Sequence, residues 1–215
     1  MKNTTKVLRY CKSCFKEIKL NPARYLLERK PLICDECISS IDTKLEIRKT
    51  FDVETLFLSS YSGIIKQWLM NFKELKDVEL GPCFLNIFLP IIQTAFPHYL
   101  FIPLPSCKSR VMERGFDHLS LILESSHLRF LSALEKEEDS EQKKNSGPER
   151  FKAKRISLKN PNLDLSKEKV VLFDDVYTTG STFKESLEAI KKAKPKKIKG
   201  LIIMDNFHVD ELRMK

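Results

Sequence analysis

Two adjacent aspartates and a run of small hydroxyl residues occur together in the stretch VVLFDDVYTTGST, residues 170–182. The carboxylates of Asp174 and Asp175 can accept hydrogen bonds from hydroxyl groups or bind a cation. Backbone N–H groups at a helix N-terminus, flanked by small hydroxyls and a flexible glycine, bind phosphate. The residues that would form this phosphate cradle are Thr178, Thr179, Gly180, Ser181 and Thr182. Such a pattern fits a sugar phosphate, with carboxylates on the ribose hydroxyls and amides on the 5′-phosphate.

Three other interpretations explain less of this stretch. ATPases also carry paired aspartates after an apolar strand, but the chain has no G-x-x-x-x-G-K-[ST] loop to complete such a site. A phosphoacceptor domain of the receiver type would not need the threonine and glycine run. An acidic strand end followed by a helix N-cap accounts for one aspartate and one threonine and leaves the other residues without a role.

The cysteines predict a metal site. Cys11, Cys14, Cys34 and Cys37 have the spacing C-x2-C-x19-C-x2-C, in which two turns each present two thiolates to one tetrahedral Zn²⁺. Disulfides are the alternative, but the N-terminal residues contain no apolar segment that could act as a signal peptide, and disulfides are rare in reducing compartments. Four protein ligands indicate a structural zinc. Cys83 and Cys107 have no cysteine partner in the sequence pattern and are interpreted as ordinary small apolar residues.

Composition and charge limit the class of protein. The chain has 215 residues, of which 42% are hydrophobic, enough for one sizeable core and a small satellite. The longest apolar-rich segment, residues 84–96, is too short to span a bilayer, so we expect no membrane insertion and a cytoplasmic location. A net charge of +9 favours polyanionic partners. The charge is concentrated in residues 143–155 and 191–199, which are either solvated surface or a contact with nucleic-acid phosphates.

The elements that would position these residues alternate in type. We predict a strand at 53–61, a helix at 63–75, a short strand within 99–105 and a helix from Phe116 to Phe130. Between the first helix and the short strand we predict a mostly buried helix from Leu80 to Phe96 with a kink at Pro90. The helix at 63–75 would bury Ile64, Trp68, Leu69 and Phe72 on one face. A long mobile connection with acidic and basic runs follows. Strand, helix and strand then occupy 169–173, 182–193 and 197–204, which predicts an α/β parallel sheet covered on both faces. The aspartates would lie at the carboxyl edge of this sheet, where ligands bind.

The acidic and hydroxyl motif resembles the ribose-phosphate signature of type I phosphoribosyltransferases. The whole order of motifs resembles the ComF family of competence-associated phosphoribosyltransferase-like proteins, over residues 11 to 205. The motifs are a four-cysteine ribbon, IPLP after a strand, R-x3-RGF, and DDVYTTGST. The resemblance implies a zinc ribbon at 1–42 and a phosphoribosyltransferase-like domain at 43–215.

The resemblance also implies roles for single residues. The ligand would be phosphoribosyl pyrophosphate with Mg²⁺, and Asp174 and Asp175 would hold its ribose hydroxyls. The loop of Pro103, Leu104, Pro105 and Ser106 would meet the pyrophosphate with its backbone. Arg110 and Arg114 would be the catalytic arginines, because guanidinium groups suit phosphate oxygens. Lys73 matches a family lysine. His98, His118, His127 and His208 are interpreted as surface or packing residues.

The chain departs from the family pattern at two places. Asp117 and His118 follow RGF where the family commonly has Asn-Gln, which adds a negative charge near the pyrophosphate site. In the connection, Gln142 and Arg150 match the family pattern, but Ala153 replaces an asparagine. Two functional classes stay open: a phosphoribosyltransferase, and a non-catalytic ligand-sensing module that assists uptake of single-stranded DNA alongside other competence proteins. A nucleobase-salvage enzyme is a third, weaker hypothesis, since such chains generally lack a cysteine ribbon.

Overall fold

The computed structural model of the protein describes residues 9–19, 31–136 and 156–206. In these ranges the helices are α1 (Asp35–Ser39), α2 (Gly63–Glu74), α3 (Cys83–Asn86), α4 (Leu89–Ala95), α5 (Lys108–Arg114), α6 (His118–Ser125) and α7 (Ser181–Lys191), with a 3-10 turn at Val78–Leu80. The strands are β1 (Thr43–Thr50), β2 (Val53–Ser60), β3 (Leu100–Pro103), β4 (Leu134–Lys136), β5 (Ile156–Leu158), β6 (Lys169–Tyr177) and β7 (Lys197–Asp205).

Five of the described strands form one sheet in the order β1-β2-β7-β6-β3. β1 is antiparallel to β2, and the other neighbours are parallel, so the carboxyl ends of β2, β7, β6 and β3 meet at one edge. β4 and β5 pair antiparallel in a separate ribbon. This confirms the predicted α/β class with a mostly parallel sheet.

The central strands are buried because they are nearly continuous apolar runs. Residues 170–173 of β6 and 201–204 of β7 are all buried, which requires cover on both faces of the sheet. α7 contributes Phe183, Leu187 and Ile190 to the core, and α2 contributes Trp68 and Phe72. The predicted helical face of α2 is right except at its start, where Ile65 is fully buried and Ile64 only partly.

Two predicted helices were too long. The segment from Leu80 to Phe96 was predicted as one helix kinked at Pro90, but it forms two helices, α3 and α4. The helix is interrupted at residues 87 and 88, and Pro90 lies in the first turn of α4. The predicted helix from Phe116 to Phe130 is shorter in the structure, where α6 ends at Ser125.

α5 was not predicted at all. None of its residues is buried, so it lacks the apolar periodicity that identifies a helix.

The predicted long connection contains part of a β-ribbon, since β4 and β5 lie on either side of residues 137–155. The basic run 143–155 and the residues Gln142, Arg150 and Ala153 lie outside the described residues, as does His208. Within the described part of the chain, no single helix is long and apolar enough to cross a membrane. Only the pair Val78–Asn86 and Leu89–Ala95, bent by 59°, meets that criterion by length and composition.

Candidate functional site

The predicted ligand residues lie at the carboxyl edge of the parallel sheet. β6 does not end at Phe173, as the sequence suggested, but continues to Tyr177. Asp174 and Asp175 therefore lie inside the last part of the strand, and the loop begins only at Thr178. The prediction failed because two adjacent carboxylates normally end a buried strand, whereas here the tertiary structure supplies them with partners.

Asp175 is the buried member of the acidic pair, with 5% of its surface exposed. Its Oδ2 forms an ion pair with Lys73 of α2 and lies 3.2 Å from Nε2 of His118. Burial opposes ionisation of Asp175, but the charge of Lys73 and the contact with His118 outweigh it and hold the pKa of Asp175 well below its usual range. Burial and the neighbouring charge of Asp175 raise the pKa of Asp174 well above its usual range. The two carboxyls are therefore electrostatically unlike, with Asp175 the stable anion.

The loop after β6 has the features of a phosphate cradle. Gly180 is the N-cap of the eleven-residue helix α7 and has a φ of 75°, a conformation that L side chains rarely adopt. A Cβ at this position would also lie 2.7 Å from Cζ of Tyr177, too close for real atoms. Ser181 N donates to Thr179 Oγ1 at 3.4 Å, which orders the turn. Thr178, Thr179 and Ser181 are exposed, so their hydroxyls and the first N–H groups of α7 face solvent.

The loop after β3 contributes less backbone than expected. Leu104 N donates to the carbonyl of Phe173 at 2.9 Å, so this N–H is already used between β3 and β6. Pro105 has no N–H. Leu104 is buried and, with Pro105, shapes the loop. Ser106 is the first residue of the loop whose side chain carries a hydrogen-bond donor. Its hydroxyl lies 3.4 Å from Nδ1 of His118.

The arginine pair lies on α5, four residues apart and thus on one face. Arg110 is exposed, and Arg114 is half-buried and donates from Nη1 to His118 Nδ1 at 2.9 Å. Asp117, whose charge seemed misplaced, is the N-cap of α6: it accepts from Leu119 N at 3.3 Å and from Ser120 Oγ at 2.8 Å. Its charge is thereby matched to the helix N-terminus.

His118 is a candidate site residue that the sequence analysis left out. It was interpreted as a surface or packing residue; it is buried, with 5% of its surface exposed, as a packing residue would be, and it also contacts Arg114 and Asp175. The available signal was that His118 follows Arg114 by only four residues. The sequence did not show that these two residues lie on separate helices, α5 and α6, connected by the short turn 115–117 that brings the two side chains together.

A cleft of about 260 Å³ adjoins the acidic pair on the side away from β3. It is lined by Tyr61, Leu69, Met70, Lys73, Glu74, Val176, Thr178 and Asn206. Lys73 and Thr178 belong both to this cleft and to the candidate ribose-phosphate site. Asn206 Oδ1 is buried and has no hydrogen-bond partner among the described residues, which leaves an unpaired acceptor in a lining that is about half polar.

The four cysteines predicted to bind a metal come together. Their Sγ atoms lie within 4.8 Å of one another, with Cys11 to Cys37 at 3.8 Å and Cys14 to Cys34 at 3.6 Å. A tetrahedron with Zn–S bonds of about 2.3 Å places its sulfurs about 3.8 Å apart, so the cluster fits a metal of this kind. All six cysteines of the chain are described, and none forms a disulfide. Burial raises the pKa of Cys83 to about 12, in keeping with its interpretation as a small apolar residue.

The cluster of four cysteines packs directly against α2, which covers the five-stranded sheet. Trp68 Nε1 of α2 donates to the hydroxyl of Ser13, which lies between the first two cysteines, at 2.7 Å. Lys12 forms an ion pair with Glu79. Cys11, Cys34 and Cys37 are part of the same continuous hydrophobic core as Trp68. The ribbon is thus anchored to α2, the helix that also supplies Lys73.

The lysine-rich segment 191–199 lies at the opposite edge of the sheet. It connects α7 to β7 at the amino ends of the strands, where Lys169 pairs with Lys197. Lys191, Lys192, Lys194, Lys196 and Lys197 are all exposed. At about 3.3 Å per residue, the eight steps of β6 separate this segment from Tyr177 by roughly 26 Å.

Known proteins resemble the chain in sequence. The family model described as "Phosphoribosyl transferase domain" matches residues 118–211. Competence protein ComFC of Bacillus subtilis (strain 168) is 28% identical over 155 residues, which are 70% of this chain and 62% of that protein. Competence protein ComFC of Streptococcus pneumoniae (strain ATCC BAA-255 / R6) is 25% identical over 158 residues, which are 74% of this chain and 71% of that protein. The chain thus spans less than two thirds of the length of the Bacillus relative.

Solved structures show a weaker likeness. A purine phosphoribosyltransferase from Pyrococcus horikoshii Ot3 has a TM-score of 0.37 and 16% identity, over 59% of this chain and 83% of that chain. A hypoxanthine phosphoribosyltransferase from Staphylococcus aureus has a TM-score of 0.36 and 13% identity, over 59% of this chain and 62% of that one.

The parallel sheet, the acidic pair before a hydroxyl-rich turn and the domain match define a phosphoribosyltransferase-like protein. The four-cysteine cluster and the likeness to two ComFC proteins make the chain similar to the ComF family in particular.

Proposed function

We propose that the chain binds phosphoribosyl pyrophosphate with Mg²⁺. The observation that carries the proposal is the convergence, at one sheet edge, of the acidic pair of β6, the N-terminus of α7 and the arginine helix α5. The turn from Thr178 to Thr182 would bind the 5′-phosphate, and Asp174 with Asp175 would accept from the ribose hydroxyls. Arg110 and Arg114 would meet the pyrophosphate, beside the loop that contains Leu104 and Pro105.

The reaction that such a site supports is transfer of ribose 5-phosphate. The bond between C1 of the sugar and pyrophosphate breaks, pyrophosphate keeps the electron pair, and a nucleophile on the acceptor forms a new bond to C1. Positive charge develops on the sugar, so positioning and neutralisation of the leaving group matter more than a general base. Mg²⁺ prefers phosphate and carboxylate oxygens, which this site offers beside Asp174, and when bound it would neutralise charge on the departing pyrophosphate.

The acceptor would occupy the cleft between α2 and the end of β6. Its lining combines apolar side chains with polar ones, and the unpaired Oδ1 of Asn206 and the ring of Tyr61 would orient a flat molecule that carries hydrogen-bonding groups. Lys73 and Thr178 connect this cleft to the ribose end of the ligand site. A nucleobase-like acceptor is therefore the enzyme form of the proposal.

The competence proteins among the relatives favour a second form. In it, the chain is a ligand-sensing module for handling single-stranded DNA in the cytoplasm, alongside other competence proteins. The exposed lysines of 191–199 support this, because they would neutralise phosphates without reading sequence. In both forms the four cysteines would hold a structural zinc in a ribbon of residues 1–42, attached to a phosphoribosyltransferase-like domain of residues 43–215.

Calorimetry with phosphoribosyl pyrophosphate and Mg²⁺ tests the proposal. We expect the wild type to bind, and Asp174→Asn combined with Asp175→Asn to weaken binding, because each hydrogen bond to a charged acceptor contributes about 1.5 to 3 kcal/mol. Thr179→Val should weaken it as well. Asp164→Asn with Glu188→Gln removes two carboxylates away from the site and serves as the control. Equal affinity of the wild type and the Asp174 and Asp175 double variant at millimolar ligand would end the proposal.

If binding is observed, pyrophosphate release separates the two forms. The protein is incubated with the ligand and a panel of bases, amines and nucleic acids. Release with one acceptor identifies an enzyme, and Asn206→Leu should then raise the KM for that acceptor while leaving affinity for phosphoribosyl pyrophosphate unchanged. No release across the panel favours the ligand-sensing form.

A further inference from the structure

One imidazole ring touches both halves of the candidate site. His118 lies at the start of α6, and its Nδ1 is 2.9 Å from Nη1 of Arg114 on the pyrophosphate side. Its Nε2 is 3.2 Å from Oδ2 of Asp175 on the ribose side. The ring is almost completely buried, so these contacts are shielded from water.

The chemistry of the neighbours fixes the tautomer of this ring. A guanidinium group only donates, so Nδ1 of His118 must be the acceptor and the proton must lie on Nε2. The hydroxyl of Ser106, 3.4 Å from Nδ1, offers a second donor to the same nitrogen. The N–H on Nε2 is then directed towards a carboxylate that is held as an anion by Lys73.

The contact with Asp175 is close but not aligned. His118 Nε2 is buried and has no hydrogen bond of good geometry among the described residues, although it lies only 3.2 Å from Asp175 Oδ2, an oxygen that already forms the ion pair with Lys73. Buried polar atoms without aligned partners are uncommon. A small rotation of the Asp175 carboxylate would align this pair, and a ribose hydroxyl on the other carboxylate oxygen would favour such a rotation.

We propose that His118 is a positioning residue that couples the pyrophosphate side of the site to its ribose side. This inference rests on the proposed binding of phosphoribosyl pyrophosphate. His118 holds Arg114 through Nδ1 and Asp175 through Nε2, so ordering of either residue by the ligand favours the binding geometry of the other. His118 is not a general base for an acceptor, because Nδ1 is occupied by Arg114 and Nε2 carries the proton.

A double-mutant cycle measures this coupling. Dissociation constants for phosphoribosyl pyrophosphate with Mg²⁺ are measured for Arg114→Ala, Asp175→Asn and the double variant, first with His118 and then with His118→Phe. With His118 present, we expect the two losses to differ from additivity by about 5- to 20-fold. In the His118→Phe background they should be additive within about twofold.

Two further variants distinguish positioning from packing. His118→Phe fills the volume without polar atoms and should weaken binding about 10- to 100-fold. His118→Gln offers an amide oxygen to Arg114 and an amide N–H to Asp175, and should restore affinity to within about threefold of the wild type. His127→Gln changes an exposed histidine of the same region and should have no effect. Non-additivity that persists in the His118→Phe background would overturn the proposal.

A measurement without ligand separates this inference from the proposed function. Nitrogen NMR of the histidine rings should show His118 protonated on Nε2 only, and Arg114→Ala should shift its Nδ1 resonance. The opposite tautomer, or no response to Arg114→Ala, overturns the coupling even if the ligand binds. If the ligand does not bind but both NMR results hold, the proposed function fails, and the link between Arg114 and Asp175 stands as a feature of the free protein.

Discussion

Adjacent aspartates of identical type have different physical states in this site. Asp175 is kept ionised by Lys73, which reaches it from another element, whereas burial and then the neighbouring charge of Asp175 raise the pKa of Asp174. A sequence shows two equal carboxylates. The difference arises from the fold, which brings Lys73 to Asp175 and leaves Asp174 beside an existing negative charge.

Asp174→Asn should therefore stabilise the free protein while it weakens ligand binding. Because the pKa of Asp174 is raised, the folded state keeps a proton that the unfolded chain loses, so this group's contribution to stability falls as pH rises from the ordinary aspartate value to the raised one. Above that range we expect the variant to melt roughly 2–4 °C higher, the effect of about 1 kcal/mol in a chain of this size.

Thermal unfolding of the wild type and Asp174→Asn across a pH series checks this. At the acid end the two proteins should differ least, because both side chains are then uncharged. Glu188→Gln removes an exposed carboxylate of α7 and should show no such pH-dependent difference. A lower melting temperature for Asp174→Asn than for the wild type at the alkaline end of the series would contradict the prediction.

Gly180 and Gly115 provide a matched pair for testing the phosphate turn. Both have positive φ, but a Cβ at Gly115 would meet nothing within 4 Å, whereas at Gly180 it would collide with the ring of Tyr177. Gly115→Ala should cost about 1 kcal/mol from backbone strain alone. Gly180→Ala should cost about 2 to 4 kcal/mol, because overpacking adds to the strain. Denaturant unfolding measures both, and equal costs would show that Tyr177 does not confine the turn.

At the scale of elements, helices and strands could be predicted from the sequence where the spacing of the hydrophobic residues and the residue types of the turns indicated the same structure. β6, α7 and β7 form an uninterrupted unit with long apolar runs, so their order and the position of the phosphate turn could be predicted. α5 could not, because none of its side chains is buried and its seven residues carry no apolar stripe. β1 was also missed: on this edge strand the apolar Leu45 and Ile47 are exposed, and the half-buried alternate residues Lys44, Glu46 and Arg48 are charged, so no apolar face marks the strand.

The same limit applies to the site. Asp174, Asp175 and the residues of the turn are contiguous in sequence, so one motif revealed them. His118 and Lys73 reach the acidic pair from α6 and α2, and no local pattern encodes those contacts. The four cysteines are the exception among distant residues, because tetrahedral metal binding constrains their spacing strongly enough to be recognised.

The cysteine ribbon should contain one Zn²⁺ per chain, measured by elemental analysis after expression with sufficient metal. Less than a tenth of an equivalent would contradict it. Cys14→Ser should lose the metal and unfold the ribbon, because the metal supplies much of the folding free energy of such small elements. Cys107→Ser alters a thiol outside the cluster and should retain the metal. Hydrogen exchange should show the amides of β6 and β7 still protected in Cys14→Ser.

At the scale of the whole molecule, the candidate ligand site and the lysine-rich segment lie at opposite edges of one sheet. The candidate ligand site lies at the carboxyl ends of the parallel strands, and the lysine-rich segment lies at their amino ends. The distance of roughly 26 Å along β6 exceeds the Debye length of about 8 Å at physiological salt. The two surfaces should therefore bind their partners nearly independently.

Single-stranded DNA should bind the lysine-rich segment with steep salt dependence and little sequence preference. Fluorescence anisotropy at two salt concentrations measures this, and saturating phosphoribosyl pyrophosphate should not displace the DNA. Replacing Lys191, Lys192, Lys194, Lys196 and Lys197 by glutamine should weaken binding and reduce the salt slope. A control with equal charge change replaces Lys16, Lys19, Lys49, Lys66 and Lys159. Equal losses in both variants would assign the effect to net charge and not to this segment.

The hydrogen bond from Trp68 to Ser13 gives the protein an intrinsic optical reporter. Trp68 is the only tryptophan of the chain, and its indole N–H is bonded to the residue between Cys11 and Cys14. Its emission spectrum should therefore change when a chelator removes the metal, without any label. Because Trp68 and Lys73 share α2, a titration with phosphoribosyl pyrophosphate followed at the same wavelength would also reveal whether occupation of the sugar site is felt at the cysteine ribbon.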